Sequence, residues 1–192
     1  MTSPHDDRVR CGWAQTDNEM YRDYHDEEWG RPLHGRIQLF ERMSLEAFQS
    51  GLSWLIILRK RENFRRAFDG FDIEKIASYD DGDVQRLMAD PGIVRNSAKI
   101  VATIANARAA IELGTDLSEF LWSFAPPARP RPAEGADVPA TSPESTAMAK
   151  ELKRNGFKFV GPTTAYALMQ ATGMVDDHVQ SCWVPSLQSG AA

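Results

Sequence analysis

Residues that start and stop helices recur along most of this chain, and they constrain the fold more than any other feature. The first clear helical segment has apolar residues at helical spacing, and Gly51 ends it. Ser53 is a suitable N-cap for a second helix that we expect to run from Trp54 to about Phe68. Runs of alternating apolar and polar residues, the pattern of a half-buried strand, are no longer than a few positions. The sequence therefore predicts an all-α fold.

The rest of the chain continues this pattern, apart from one proline-rich segment. The further predicted helices are Ile73 to Ser78 after Asp72, Val84 to Ala89 after Asp80 or Asp81, Asn96 to Leu113, Leu117 to Phe124 after Asp116, and a helix that starts at Ser142-Pro143. Prolines interrupt residues 125–143, so we expect a loop there. We interpret residues 1–192 as one domain with a flexible leader at residues 1–10.

Charge and hydropathy limit the classes of protein to which this chain can belong. The longest aliphatic run, Leu55 to Leu58, is far too short to cross a bilayer, and the N-terminus lacks the features of a secretory signal. We therefore expect a cytoplasmic protein. The net charge of −5 argues mildly against a nucleic-acid partner. Basic residues nevertheless cluster at 59–66 and 150–158, where each cluster is either a solvated helix face or part of a DNA-binding surface.

Cysteine and histidine occur as two pairs near the ends of the chain. Cys11 and His25 form the first pair, and His178 and Cys182 form the second. His178 and Cys182 are four residues apart, so on a helix they would share one face. Together the pairs supply a Cys₂His₂ set for a tetrahedral zinc. Spacing alone equally allows two free cysteines with unrelated histidines, and a Cys11–Cys182 disulfide is the third alternative.

Glu46 is an acidic residue within an otherwise apolar helical segment. It lies near the end of the first predicted helix, where the helix dipole disfavours a carboxylate. Composition alone favours a solvated surface residue, and the alternative is a functional acid.

The segment from Lys150 to Ala165 predicts a helix, a short apolar hairpin and a second helix. The first helix should end at Asn155-Gly156, and Gly161-Pro162 should start the second. Backbone N–H groups at that helix start, beside lysines, form a suitable phosphate site. A simple helix connection would have the same pattern.

Taken together, these segments resemble the DNA-3-methyladenine glycosylase I family of the helix-hairpin-helix superfamily. The matching segments are Arg10 to Trp13, Tyr24 to Gly30, Leu45 to Trp54, Lys60 to Phe64 and Gly156 to His178. The resemblance implies a base-excision repair glycosylase that hydrolyses the N-glycosidic bond of 3-methyladenine in double-stranded DNA containing alkylated purines. It also implies a base flipped into an aromatic pocket and a structural zinc that joins the two ends of the chain. We expect a monomer. No lysine is placed as an obvious Schiff-base nucleophile, so we predict no strand cleavage.

The resemblance also assigns residues to these roles. It implies zinc ligation by Cys11, His25, His178 and Cys182, and base recognition by Glu46 with Trp13, Tyr21, Tyr24 and Trp54. We expect Gly51 and Leu52 to fill or open the gap in the duplex, and Lys153, Lys158 and Gly161 to hold phosphates. Asp176 is at a position where many superfamily members have a catalytic aspartate and this family usually has asparagine. We treat Asp176, with Glu46, as a candidate catalytic residue, and the favoured alternative for Asp176 is a loop-capping aspartate.

Two other functions are compatible with parts of this pattern. A zinc-stabilised protein that binds lesions without catalysis would need only the pocket and the DNA surface. A metallohydrolase would need an open zinc position for water, which four protein ligands do not leave.

Overall fold

The computed structural model describes residues 7–186, and the fold within this range is all-α. The α-helices are α1 Glu19–Asp23, α2 Arg36–Gln49, α3 Trp54–Ala67, α4 Ile73–Ala77, α5 Asp81–Ala89, α6 Ser97–Glu112, α7 Leu117–Trp122, α8 Pro143–Arg154 and α9 Pro162–Ala171. A π-helical turn, Tyr24–Glu28, continues α1, and short 3₁₀ turns occur at Gly12–Ala14, Asp69–Phe71 and Gly135–Asp137. Residues 7–186 contain no β-strand. The predicted fold class is confirmed.

Helix α2 is central to the core because it packs against α3, α6, α7 and α9. Its predicted apolar face is buried, including Leu39, Phe40, Met43 and Phe48. Phe48 meets Phe64 of α3 with ring centroids 4.7 Å apart. This packing fixes the orientation of α2 in the core, and it therefore also fixes the position of Glu46 on that helix.

Most predicted helix starts are confirmed by the capping hydrogen bonds. Side chains cap α4, α5, α6, α7 and α8, namely those of Asp72, Asp80, Asn96, Asp116 and Ser142. These contacts are local, so a short window of sequence is enough to predict them. Ser53 has the expected N-cap position before α3, but its side chain makes no capping hydrogen bond.

The proline-rich segment 125–143 is a loop with one 3₁₀ turn, as predicted. Two arginines fasten it to the chain after α9. Arg129 pairs with Asp177 at 2.9 Å, and Arg131 pairs with Asp176 at 2.9 Å. The loop is therefore held against the segment that carries His178.

The two chain ends differ from the simplest interpretation of their sequences. Arg10, placed in the flexible leader, is buried and forms an ion pair with Asp26 at 2.7 Å. The segment containing His178 and Cys182 is not helical, so the two residues approach through a loop rather than along one helix face. Residues 1–6 of the predicted leader lie outside the described range.

No helix within residues 7–186 is both long enough and apolar enough to cross a membrane.

Candidate active site

A cavity of about 550 Å³ opens between α2, α3, α9 and the N-terminal segment. The five residues that we expected to bind a base all line it: Trp13, Tyr21, Tyr24, Glu46 and Trp54. They come from three separate parts of the chain. The fold therefore brings them together, although their roles remain predictions.

Aromatic rings form much of the cavity wall. Trp13 lies 5.1 Å from Tyr21, and Tyr24 lies 5.3 Å from Trp54, measured between ring centroids. Tyr24 and Trp54 are buried, and Trp54 Nε1 has no hydrogen-bond partner among the described residues. Because burying an unpaired N–H is unfavourable, this atom is a candidate donor to a ligand.

Glu46 is buried, with 6% of its surface exposed. Burial raises the pKa of Glu46 to about 7, and the positive charge of Arg42 offsets part of this effect. A perturbed carboxyl in a cavity is typical of a functional site. The interpretation of Glu46 as a solvated surface residue is therefore wrong.

Arg42 is a site residue that the sequence analysis missed. It is buried, and it donates hydrogen bonds to the hydroxyl of Tyr24 at 3.0 Å and to Glu28 at 3.2 Å. Arg61 holds Glu28 through two further bonds. Arg42 precedes Glu46 by four residues, so helical spacing could have indicated that it lies on the same face.

Trp29 and Asp177 are further missed residues of the cavity wall. Asp177 is buried and accepts hydrogen bonds from Tyr166 at 2.6 Å, Gln170 at 2.9 Å and Arg129 at 2.9 Å. Gln170 also lines the cavity. These partners come from α9 and the proline-rich loop, so no local sequence pattern connects them.

Asp176 does not line this cavity, and its Oδ1 accepts a hydrogen bond from the backbone N–H of His178 at 3.4 Å, as the loop-capping alternative predicts. Its carboxylate contacts His178 Nδ1 at 2.9 Å and Arg131 Nε at 2.9 Å. These two interactions hold the pKa of Asp176 well below its ordinary value despite burial. In this structure Asp176 therefore contacts His178 and Arg131, and its catalytic role stays a prediction.

A candidate metal site lies beside the cavity. Cys11, His25 and Cys182 place their ligand atoms within 4.8 Å of one another, and all three residues are buried. A hydrogen bond between the two thiols raises the pKa of Cys11 and lowers that of Cys182, so Cys182 is the more easily ionised thiol. This cluster could hold a metal ion.

His178 lies next to this cluster, with its ring centroid 5.0 Å from that of His25. Its Nε2 is buried and has no hydrogen-bond partner among residues 7–186. In both histidines Nδ1 faces a carboxylate, Asp26 for His25 at 2.8 Å and Asp176 for His178 at 2.9 Å. Gly30 permits this packing, since a Cβ there would lie 2.7 Å from His178 Cε1.

The residues that we expected to contact DNA lie at two turns. Gly51 and Leu52 form the exposed connection between α2 and α3, and Leu52 is 38% exposed. Lys153 and Lys158 are exposed near Gly161, which precedes α9. In the other basic cluster, Arg61 pairs with Glu28 and Lys60 donates to the carbonyls of Pro91 and Gly92.

The model of the methyladenine glycosylase family matches residues 13–185 of this chain. The chain belongs to that family. A relative from Escherichia coli strain K12, DNA-3-methyladenine glycosylase 1, is 44% identical over 90% of this chain and 95% of its own length. DNA-3-methyladenine glycosylase of Haemophilus influenzae is 42% identical over 91% and 96%.

Solved structures of the family have the same fold as this glycosylase. A crystal structure of 3-methyladenine DNA glycosylase I has a TM-score of 0.89 and 43% identity, covering 93% of this chain and all of that one. A variant of 3-methyladenine DNA glycosylase I in complex with 3-methyladenine has a TM-score of 0.87 and 34% identity, covering 92% and 98%.

Proposed function

We propose that this chain hydrolyses the N-glycosidic bond of 3-methyladenine in double-stranded DNA and leaves an abasic site. The chain is a DNA glycosylase of base-excision repair by family membership. The observation that carries the proposal is the single cavity that combines a buried carboxylate with aromatic walls. One chain supplies all these lining residues, so we propose that it acts as a monomer.

The aromatic walls suit a cationic base. Methylation at N3 leaves the adenine in DNA positively charged, which weakens its glycosidic bond. Faces of tryptophan and tyrosine attract a cation by about 0.5–2 kcal/mol. The base must leave the stack to reach this cavity, at a cost of a few kcal/mol. The positive charge therefore contributes both to recognition and to the departure of the base.

Glu46 and Trp54 supply directional contacts in the proposed complex. The carboxylate of Glu46 accepts a hydrogen bond from the exocyclic amine of the base. The unpaired Nε1 of Trp54 donates to an acceptor on the bound base. We assign recognition to Glu46. The described lining of the cavity contains no lysine, which supports a monofunctional glycosylase without a Schiff base.

We also propose a structural zinc held by Cys11, His25, His178 and Cys182. Two sulfurs and two imidazole nitrogens are a donor set typical of structural zinc. The unpaired Nε2 of His178 and the carboxylates on both Nδ1 atoms support this set, because ligating histidines usually have such partners. The ion would fasten the N-terminal segment to the chain after α9.

For DNA binding, we propose a helix-hairpin-helix formed by α8, residues 155–161 and α9. The exposed Lys153 and Lys158 would contact phosphates, together with backbone N–H groups at the start of α9 near Gly161. Leu52, exposed on the turn before α3, would occupy the space that the flipped base leaves.

The direct test is incubation of the zinc-loaded protein with alkylated duplex DNA. We expect free 3-methyladenine in the soluble fraction, measured by chromatography with mass spectrometry, and abasic sites without strand breaks. Binding of the lesion without base release would instead support the non-catalytic alternative. Strand cleavage in the absence of added base or heat would contradict a monofunctional enzyme.

A further inference from the structure

Lys99 is a buried lysine whose charge is directed at the main chain. It lies in the first turn of α6, and 7% of its surface is exposed. Nζ donates hydrogen bonds to the carbonyls of Phe48 at 2.8 Å and Ser50 at 2.7 Å. Burial lowers the pKa of this ammonium group. The ion pairs found within residues 7–186 do not include Lys99.

The two carbonyls belong to the end of α2 and the turn that follows. The last carbonyls of a helix lack partners within the helix, and a cation there interacts favourably with the helix dipole. Hydrogen bonds from a charged donor are stronger than those between neutral groups. Lys99 therefore fixes the backbone on both sides of Gln49, immediately before the Gly51–Leu52 turn.

The turn itself is open on its outer side. Gly51 has a φ of +82°, and a Cβ added there would meet no atom within 4 Å. The N–H of Leu52 donates to the carbonyl of Gln49, and the Leu52 side chain is 38% exposed. An exposed turn is thus held from the inner side by the charged head of Lys99.

We propose that Lys99 is a positioning residue that holds the turn so that Leu52 can enter the duplex. The inference rests on the proposed function and on the assigned role of Leu52. A side chain that fills the space of a flipped base contributes most binding free energy if its backbone is ordered before binding, since ordering during binding costs conformational entropy. Loss of Lys99 should therefore impair base flipping while the base pocket remains intact.

The test uses full-length Lys99→Met, which keeps most of the length of the side chain and removes the charge. The matched control is Lys75→Met, which changes an exposed lysine on α4. We expect kcat/KM for 3-methyladenine release from alkylated duplex DNA to fall about tenfold in Lys99→Met and to be unchanged in Lys75→Met. Affinity for free 3-methyladenine should equal that of the parent, since the free base needs no duplex opening.

A double-mutant cycle with Leu52→Ala separates positioning from general stability. If Lys99 acts through Leu52, the double variant should be about as impaired as Leu52→Ala alone. Additive losses would overturn the inference, and so would unchanged duplex activity in Lys99→Met. If Lys99→Met does not fold, Lys99→Gln retains a neutral donor and enters the same cycle.

Salt dependence distinguishes a positioning role from a direct phosphate contact. The slope of log K against log salt for duplex binding should be the same in Lys99→Met and the parent. Lys153→Ala, at a proposed phosphate contact, should make the slope shallower by about one. A similar change in Lys99→Met would overturn the positioning role. Absence of base release by the parent protein would instead refute the proposed function itself.

Discussion

Arg42 and Glu46 lie one helical turn apart on α2, both buried, and no hydrogen bond joins them among the described residues. Arg42 directs its guanidinium to Tyr24 and Glu28 instead. Its charge lowers the pKa of Glu46 but offsets only part of the larger, opposite effect of burial. Arg42 thus orders the residues of the cavity wall. The carboxylate of Glu46 lines the cavity and is not hydrogen-bonded to Arg42 in the described structure.

Replacing the carboxylate of Glu46 tests its proposed part in recognition. Glu46→Gln should weaken both the binding of free 3-methyladenine and its excision about 10- to 100-fold, because a neutral amide oxygen replaces the charged acceptor and hydrogen bonds to charged groups are stronger. Equilibrium binding and single-turnover kinetics measure the two effects. Glu41→Gln on the same helix is the control, since Glu41 pairs with Arg65 and does not line the cavity. Unchanged affinity in Glu46→Gln would exclude this residue from recognition of the base.

The raised pKa of Glu46 predicts a pH dependence of stability. Between about pH 4.5 and pH 7 the folded protein binds more protons at Glu46 than the unfolded chain does, so this residue makes the free energy of unfolding fall as pH rises. A pKa of about 7 against the ordinary 4.5 corresponds to roughly 3 kcal/mol. Below pH 4.5 both states are protonated, and this contribution is fully retained.

Glu46→Gln provides the reference for that measurement. Denaturant unfolding of the parent and the variant across pH 4.5 to 8 should show the parent losing stability relative to the variant as pH rises. A constant difference between the two proteins would contradict the raised pKa. Because the ionised form accepts from a cationic base, excision by the parent should also decline as pH falls below about 7.

The helices could be predicted from the sequence because their causes are local. Asp72, Asn96 and Ser142 cap the helices that directly follow them, so a few neighbouring residues carry the signal. By contrast, Arg42 contacts Tyr24 and Glu28, which precede it by 18 and 14 positions. Both of these residues lie in the π-helical turn. Such contacts depend on how the elements pack, which periodicity does not encode.

The candidate site divides in the same way. Residue types and the family resemblance identified the aromatic residues and Glu46, and the fold then brought them to one cavity. Helical spacing suggested that His178 and Cys182 share one face of a helix. In the structure they belong to a loop, which places Cys182 near His25 and the ring of His178 against that of His25. The partners of Asp176 could not be predicted because Arg131 belongs to a loop without a local structural signal.

Removing one proposed zinc ligand should reduce both metal content and stability. Cys182→Ser and His178→Gln should each lower the melting temperature by at least about 5 °C, because metal binding contributes directly to folding. Metal analysis of the purified proteins accompanies the melting curves. His34→Gln is the control, since His34 stacks on Trp122 outside the cluster. Normal zinc content and melting temperature in His178→Gln would exclude His178 as the fourth ligand.

The ion pair between Arg131 and Asp176 should be one of the strongest links between the proline-rich loop and the rest of the protein. Both side chains are largely buried, with 11% and 9% exposed, and Arg131 also donates to the carbonyls of Val184 and Pro185. Arg131→Ala would remove the guanidinium that pairs with the buried carboxylate of Asp176. We therefore expect it to lower the free energy of unfolding by about 3–5 kcal/mol.

Arg36→Ala provides the comparison for this measurement, because the ion pair between Arg36 and Glu74 is more exposed, with 32% and 62% of the side chains accessible. Exposed pairs contribute about 0–1 kcal/mol, so this variant should resemble the parent in denaturant unfolding. Arg131→Ala should also retain less zinc, because Asp176 orients the imidazole of His178. Equal losses of stability in the two variants would mean that the Arg131–Asp176 pair does not fasten the loop. If Arg131→Ala is destabilised but keeps its full zinc content, the contact of the loop with Asp176 is not needed for metal binding.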